Sequence, residues 1–316
     1  MNLSTSASME EFESAFNAIE TEWYPKTDEM ISLGGGYWDG NILTGVKARL
    51  DSRLTTLLSR GFEENYFQIQ NEVSDLLAAV QSDIESTLPA GSETFRARIG
   101  VNKRLMRHVE PGFDPTFYYL PYSDSEIKSP PVHLASEGRL NRARVSILYL
   151  ASDRETAVAE VRPHPGHLVS TAKFISSEPL KIADLTTKDV RNYLSDQRLE
   201  DLRLIFSFNT LLNLPVPPDK REYYLITQLL SDCVREAGFE GVRFQSSLGA
   251  GDNIACFATK KFSLVAGSEK VLEVKALTYR LGDVTTLRQN YDSDYYKEDS
   301  TDPFSTLFDV LERNKS

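Results

Sequence analysis

The chain has 316 residues, 41% of them hydrophobic and 10% aromatic, enough for a sizeable core and long enough for two domains. A formal net charge of -11 and a pI near 5.0 argue against a duplex-binding protein, because neutralising backbone phosphates takes a basic surface. No stretch approaches the roughly 20 consecutive apolar residues that cross a bilayer, and Met1 to Glu13 has no basic start followed by an apolar run, so a soluble, cytoplasmic protein without membrane or nucleic-acid partners is expected.

From Met9 to Leu88 the pattern is helical. Phe12, Phe16, Ile19 and Trp23 recur at spacings of three and four, Val46, Leu50, Leu54 and Leu57 repeat the theme, and Phe67 to Ile84 makes a third amphipathic segment. This predicts a small all-helical domain over residues 1–91. Gly34-Gly35-Gly36 interrupts it as a connector; a phosphate-cradling loop would need a preceding strand and a closing Lys-Ser/Thr, and both are missing. Beyond Gly91 short β-rich runs follow at Thr94 to Ile99, Val145 to Ala151, Leu168 to Phe174, Leu180 to Ile182, Gly241 to Phe244 and Asn253 to Thr259. Helical stretches separate them at Asp153 to Val161, Thr187 to Leu212 and Tyr223 to Ala237, and Glu110 to Glu137 reads as a long polar loop. Strands broken by helices of unequal length predict an α+β domain over residues 92–282. Residues 283–316 form an acidic tail whose apolar cluster, Phe304, Leu307, Phe308, Val310 and Leu311, suits a short helix.

Cys233 and Cys256 have neither metal spacing nor a disulfide framework and are expected to be reduced core residues. His164 and His167 sit in a Pro/Gly turn without further ligands nearby, so no metal site is expected. Ser152 with Glu155 three residues on forms a plausible capping box after the run Ile147-Leu148-Tyr149-Leu150. On the helix that follows, Ala157 and Val161 share a face and Glu160 lies beside it. A glutamate at the edge of a core needs hydrogen bonds or a counter-charge, for which Arg139 and Arg96 or Arg98 are candidates. Spacing alone does not separate a ligand-binding carboxylate from a structural ion pair.

Several short blocks, in order, resemble the RES-domain family. They are Phe95-Arg96-Ala97-Arg98, Gly138-Arg139-Leu140-Asn141, Ile147 to Asp153, Thr156 to Pro163, Tyr224-Leu225-Ile226-Thr227-Gln228 and Gly238 to Ser247, with Asn253-Ile254-Ala255-Cys256-Phe257 as a closing strand. The resemblance implies an ADP-ribosyltransferase-like fold and consumption of NAD+ as substrate, with no bound cofactor, by phosphorolysis or hydrolysis of the nicotinamide–ribose bond. Many members of the family are toxins of bacterial toxin–antitoxin pairs. Carried over by position, the catalytic set is Arg96, Arg139, Tyr149, Glu160 and Ser246, with Arg98, Asn141 and Ser247 as further binding residues.

The residue types suit that chemistry. Nicotinamide leaves as a neutral pyridine, so departure needs no general acid, and a carboxylate near the anomeric carbon steadies the positive charge that develops on the ribose. Glu160 takes that role. Arg96 and Arg139 suit the pyrophosphate or an incoming inorganic phosphate, Tyr149 the nicotinamide end, and Ser246 a ribose hydroxyl or the carboxamide. Where the family commonly continues its Gly-Arg-x-Asn block with Pro and Gly, this chain has Arg142-Ala143-Arg144, a more basic loop. Uncontrolled NAD+ loss would harm the host, so restraint by an antitoxin-like partner, by the helical domain or by oligomerisation is expected. ADP-ribosyl transfer to a macromolecule and nucleotide binding without turnover are the alternatives.

Overall fold

A computed structural model describes residues 46–47, 50–60, 64–107, 116–186, 188–214 and 224–278. The expected first helix, the Gly34-Gly35-Gly36 connector and the acidic tail lie outside these residues. After the helical residues 46–47, the described chain continues with α1 (Ser52–Arg60), α2 (Tyr66–Ala79) and the single turn α3 (Gln81–Ile84). Their apolar residues recur at helical spacing, so Leu54, Leu57 and Leu58 of α1 and Ile69, Val73 and Leu77 of α2 are all buried. Asn65 caps α2 by accepting the Phe67 N–H at 3.0 Å.

The strands are β1 (Glu85–Leu88), β2 (Glu93–Ile99), β3 (Lys103–Met106), β4 (Phe117–Leu120), β5 (Leu148–Ala151), β6 (Leu168–Ser176), β7 (Leu180–Asp184), β8 (Gly241–Gln245), β9 (Asp252–Cys256), β10 (Phe262–Leu264) and β11 (Lys270–Glu273). Nine of them make one sheet in the order β1-β7-β8-β9-β5-β2-β6-β10, with β11 also on β6. Among the strand pairs of the described residues, β7 and β8 run parallel and the others are antiparallel. The mixed α/β architecture agrees with the expected class at that level.

Three further helices are α4 (Arg154–Glu160), α5 (Asp196–Asn213) and α6 (Tyr224–Glu236). Strand alternation divides the core. Ala183, Val242, Phe244 and Ala255 face a large cluster built with α1, α2, α5 and α6, while Ile182, Ile254, Leu148, Leu150 and Phe174 face a smaller one on the opposite side.

Several expectations are corrected here. The core crosses the boundary expected at residues 91–92: α1 and α2 share one cluster with Leu211, Leu229 and Leu230, and β1 pairs with β7 from Glu85↔Ala183 to Leu88↔Leu180. The helical pattern read through Leu88 therefore ends in a strand. Residues 110–137 are not all loop, since β4 pairs with β3 in a separate ribbon. The cap of α4 is Asp153, whose carboxylate accepts the Thr156 N–H at 2.7 Å, rather than Ser152; one residue's difference in where the strand ends moved the cap. Cys233 and Cys256 are buried free thiols, and burial pushes them up to about 11 and about 12, which leaves them unreactive.

The shared core yields a prediction. Leu77, 1% exposed, sits in α2, and Leu77→Ala is expected to destabilise the described body as one unit by about 2–5 kcal/mol. Urea unfolding followed by near-ultraviolet and far-ultraviolet circular dichroism should give one coincident, downshifted transition. A catalytic half that melts unchanged would contradict it.

Candidate functional site

Between β2 and β5 the sheet parts. Their ladder holds at a single pair, Phe95↔Ala151, whereas β2 keeps seven register pairs with β6. Where the ladder stops, Arg96 Nη1 donates to the Tyr149 carbonyl at 2.9 Å, replacing the missing strand partner with a side chain. The parting opens a cleft of about 440 Å³, within the range of small-molecule sites. Phe95, Arg96, Arg139, Tyr149, Glu160 and Asn253 are among its lining residues.

Glu160 is the last residue of α4, a helix pinned at its other end by the Asp153 cap. Its Oε1 accepts from Ser246 Oγ and from Asn253 Nδ2, both at 2.6 Å. Two donors on one oxygen orient the carboxylate and leave Oε2 without a hydrogen-bond partner among the described residues. The helix end adds to the negative character of this spot, because its terminal carbonyls carry the negative pole of the backbone dipole.

Ser246 is itself held. Its hydroxyl oxygen accepts the Leu248 and Gly249 N–H groups at 3.1 and 2.9 Å, and its own N–H donates to the Gly251 carbonyl at 3.1 Å. The turn lies tight on α4: a Cβ at Gly249 would come 2.6 Å from Thr156 Oγ1, and one at Gly251 2.0 Å from Asp153 Oδ2. Glycine is needed there so that the turn can approach α4 and present Ser246 to Glu160.

Arg139 reaches the cleft from a clamped loop. The Tyr149 hydroxyl accepts the Leu140 N–H at 3.1 Å and donates to Asn141 Oδ1 at 2.8 Å. Gln228 Nε2 of α6 donates to the Gly138 carbonyl at 2.9 Å, and Thr227 Oγ1 donates to the Arg139 carbonyl. A Cβ on Gly138 would come 2.6 Å from Asn141 Oδ1, which explains the glycine before the arginine. The guanidinium is anchored through Nη1 to the Leu212 carbonyl at 2.7 Å.

Both arginines are desolvated. Burial, aided by the nearby charge of Arg98, pushes Arg96 down to about 10, so it remains charged at neutral pH while bearing a real desolvation cost. Its Nε is buried without a hydrogen-bond partner. Burial also lowers Arg139, against the opposing charge of Glu160. Burial raises the Tyr149 phenol, keeping it neutral.

Of the residues singled out in the sequence, Arg96, Arg139, Tyr149 and Glu160 converge on the cleft, and Ser246 meets it through Glu160. Three others do not reach it. Arg98 turns to the Glu126 carbonyl and the Tyr122 ring, since it follows Arg96 by two along β2, past the opening. Asn141 is 5% exposed and spends its side chain inside the loop, donating to the Ser136 carbonyl at 2.7 Å and accepting from Tyr149. Ser247 is exposed, and Ser246 is the serine that contacts Glu160. The Tyr149 hydroxyl likewise serves the loop, so the ring is what this residue offers a ligand.

The sequence reading missed Asn253, Tyr224, Phe244 and Arg162 as lining residues. Asn253 carried a legible signal, a polar residue on the same strand face as buried Ala255. Arg162 carried none: it follows α4 with a positive φ of 48°, a turn that only the folded chain displays.

A family model described as "RES domain" matches residues 116–280, just over half of the chain, beginning after β2 and Arg96. Comparison with curated proteins finds no match. Among solved structures, a chain described as "Crystal structure of the M.tuberculosis MbcT-MbcA toxin-antitoxin complex" is 12% identical, over 64% of this chain and 92% of that chain, with a TM-score of 0.33.

The loop clamp is testable. Tyr149→Phe removes the acceptor for the Leu140 N–H and the donor to Asn141, and is expected to lower stability by about 1–3 kcal/mol. Denaturant midpoints of the two proteins would show it, and equal midpoints would refute the clamp.

Proposed function

The chain belongs to the RES domain family, and from that premise we propose that it consumes NAD+ by cleaving the nicotinamide–ribose bond, with inorganic phosphate or water as the acceptor. The observation that carries this reading is the Glu160 carboxylate, fixed at Oε1 by Ser246 and Asn253, with Oε2 left to a ligand in a cleft shared with two desolvated arginines.

As the nicotinamide departs with the bonding electrons, its ring becomes neutral and positive charge grows on the ribose. Glu160 stabilises that charge and needs no reorganisation, because its two donors already hold it in place. Ser246 and Asn253 act as positioning residues. Arg139 and Arg96 bind the pyrophosphate or the attacking phosphate through guanidinium groups at the cleft wall. The Tyr149 and Tyr224 rings and Phe95 supply the apolar and stacking surface for the nicotinamide end.

An ADP-ribosyltransferase-like arrangement of the catalytic part, toxin-type action and restraint by a partner protein belong to the same reading. They rest on family membership. Transfer of the ADP-ribosyl group to a macromolecule would use the same carboxylate and would differ only in what attacks the ribose.

Purified protein incubated with NAD+, with and without phosphate, tests the reading. Nicotinamide should be released in both tubes or in the phosphate tube alone, and the ribose product identifies the acceptor. Glu160→Gln keeps an oxygen for both donors, so its melting temperature should stay near wild type while turnover falls about 10²–10³-fold. An undiminished rate in that variant, or no NAD+ loss in the parent, would reject the enzyme reading.

A further inference from the structure

The β3–β4 ribbon stands apart from the sheet, and all eight of its residues are exposed. Six of them are large apolar side chains, Leu105, Met106, Phe117, Tyr118, Tyr119 and Leu120, between 38% and 64% exposed. A two-stranded hairpin by itself is marginal in water, and contiguous exposed apolar surface marks a contact site.

The ribbon is also basic. Pairing of Lys103↔Leu120 and Leu105↔Tyr118 sets one face, and Arg104↔Tyr119 and Met106↔Phe117 the other, so each face joins a cation to apolar side chains. The Arg104 guanidinium lies 3.6 Å from the Phe117 ring centroid, and Arg107 follows β3. The occupant that suits such a surface is acidic and aromatic.

We propose that this ribbon is the docking surface for the C-terminal segment of the same chain, residues 291–311. Where the chain leaves the described residues supports this. Gly100, at the ribbon's base, donates its N–H to the Leu168 carbonyl at 2.7 Å, while Glu273 of β11 pairs with Leu168 on the other side of β6. Two strand spacings separate Gly100 from Glu273, about 10 Å, and the described chain runs on five residues from there to residue 278. The 13 residues from 279 to 291 span up to about 40 Å when extended, so the segment reaches any part of a four-residue ribbon.

Composition supports it as well. Between Tyr291 and Leu311 the chain carries Asp292, Asp294, Glu298, Asp299, Asp302 and Asp309 against the single base Lys297, interleaved with Tyr295, Tyr296, Phe304, Leu307 and Phe308. Its sign and its apolar content both complement the ribbon. Tethering also favours it over a second copy, since a linked segment acts at an effective concentration of order millimolar. The N-terminal residues are acidic too, but the described chain begins at Val46, fully buried among the α1, α2, α5 and α6 side chains rather than at the ribbon's base.

The inference does not depend on the reaction assigned to the cleft. It is tested in the full chain by pairing Leu105→Cys with Phe308→Cys, and separately with Phe12→Cys; the native thiols are buried and inert. On dilute oxidation, the first pair should form a disulfide within one chain, read by peptide mass spectrometry, and the second should not. No disulfide with Phe308→Cys, one between two chains, or an equal yield with Phe12→Cys would overturn the proposal. In a Leu307→Ala/Phe308→Ala chain without added cysteines, amide exchange over residues 103–106 and 117–120 should speed up about tenfold as the cover loosens. Unchanged exchange there would also overturn it.

Discussion

A continuous antiparallel ladder between β2 and β5 would close the sheet and leave nowhere for a ligand. The ladder stops at Phe95↔Ala151, and the backbone group that loses its partner there, the Tyr149 carbonyl, is taken by Arg96. One side chain thus does two things: it satisfies the opened edge and sets a cation against the cleft. The cost is desolvation of a guanidinium, seen in its lowered pKa and its unpartnered Nε.

Polar ties add to the apolar packing that holds the rest of the cleft. Tyr149, Asn141, Thr227 and Gln228 bind the Gly138–Asn141 turn so that Arg139 projects from a fixed backbone. Ser246 and Asn253, from the turn after β8 and from β9, meet at one oxygen of Glu160 on α4. Elements far apart in sequence are therefore locked together at their polar groups, and the carboxylate is pre-positioned before any substrate arrives.

Local pattern made much of this readable. The helical spacing of Leu54, Leu57 and Leu58, the β-rich runs along β6 to β9 and the order of short motifs located the main elements and, of the residues that line the cleft, Arg96, Arg139, Tyr149 and Glu160. The ribbon escaped because strands exposed on both faces show no alternation of apolar and polar residues. β1 escaped because four residues after a helix carry too little pattern, and it is a strand because β7 offers an edge. The N-cap fell on Asp153 and not Ser152 because both residue types cap well and only the end of β5 chooses between them.

What the sequence determined by itself is most of the inventory: the main helices and the central strands, and a Glu160 that lies beside an apolar helix face. Residue type and local period carry that much; that Arg96, Arg139 and Tyr149 belong with Glu160 is what the resemblance to the RES-domain family implied. The tertiary structure decided which groups meet. It turned Arg98 away, enclosed Asn141 in its own loop, chose Ser246 over Ser247, added Asn253, and joined residues 52–88 to the rest through a common core. Those outcomes depend on distances between segments remote along the chain, and no local pattern encodes them.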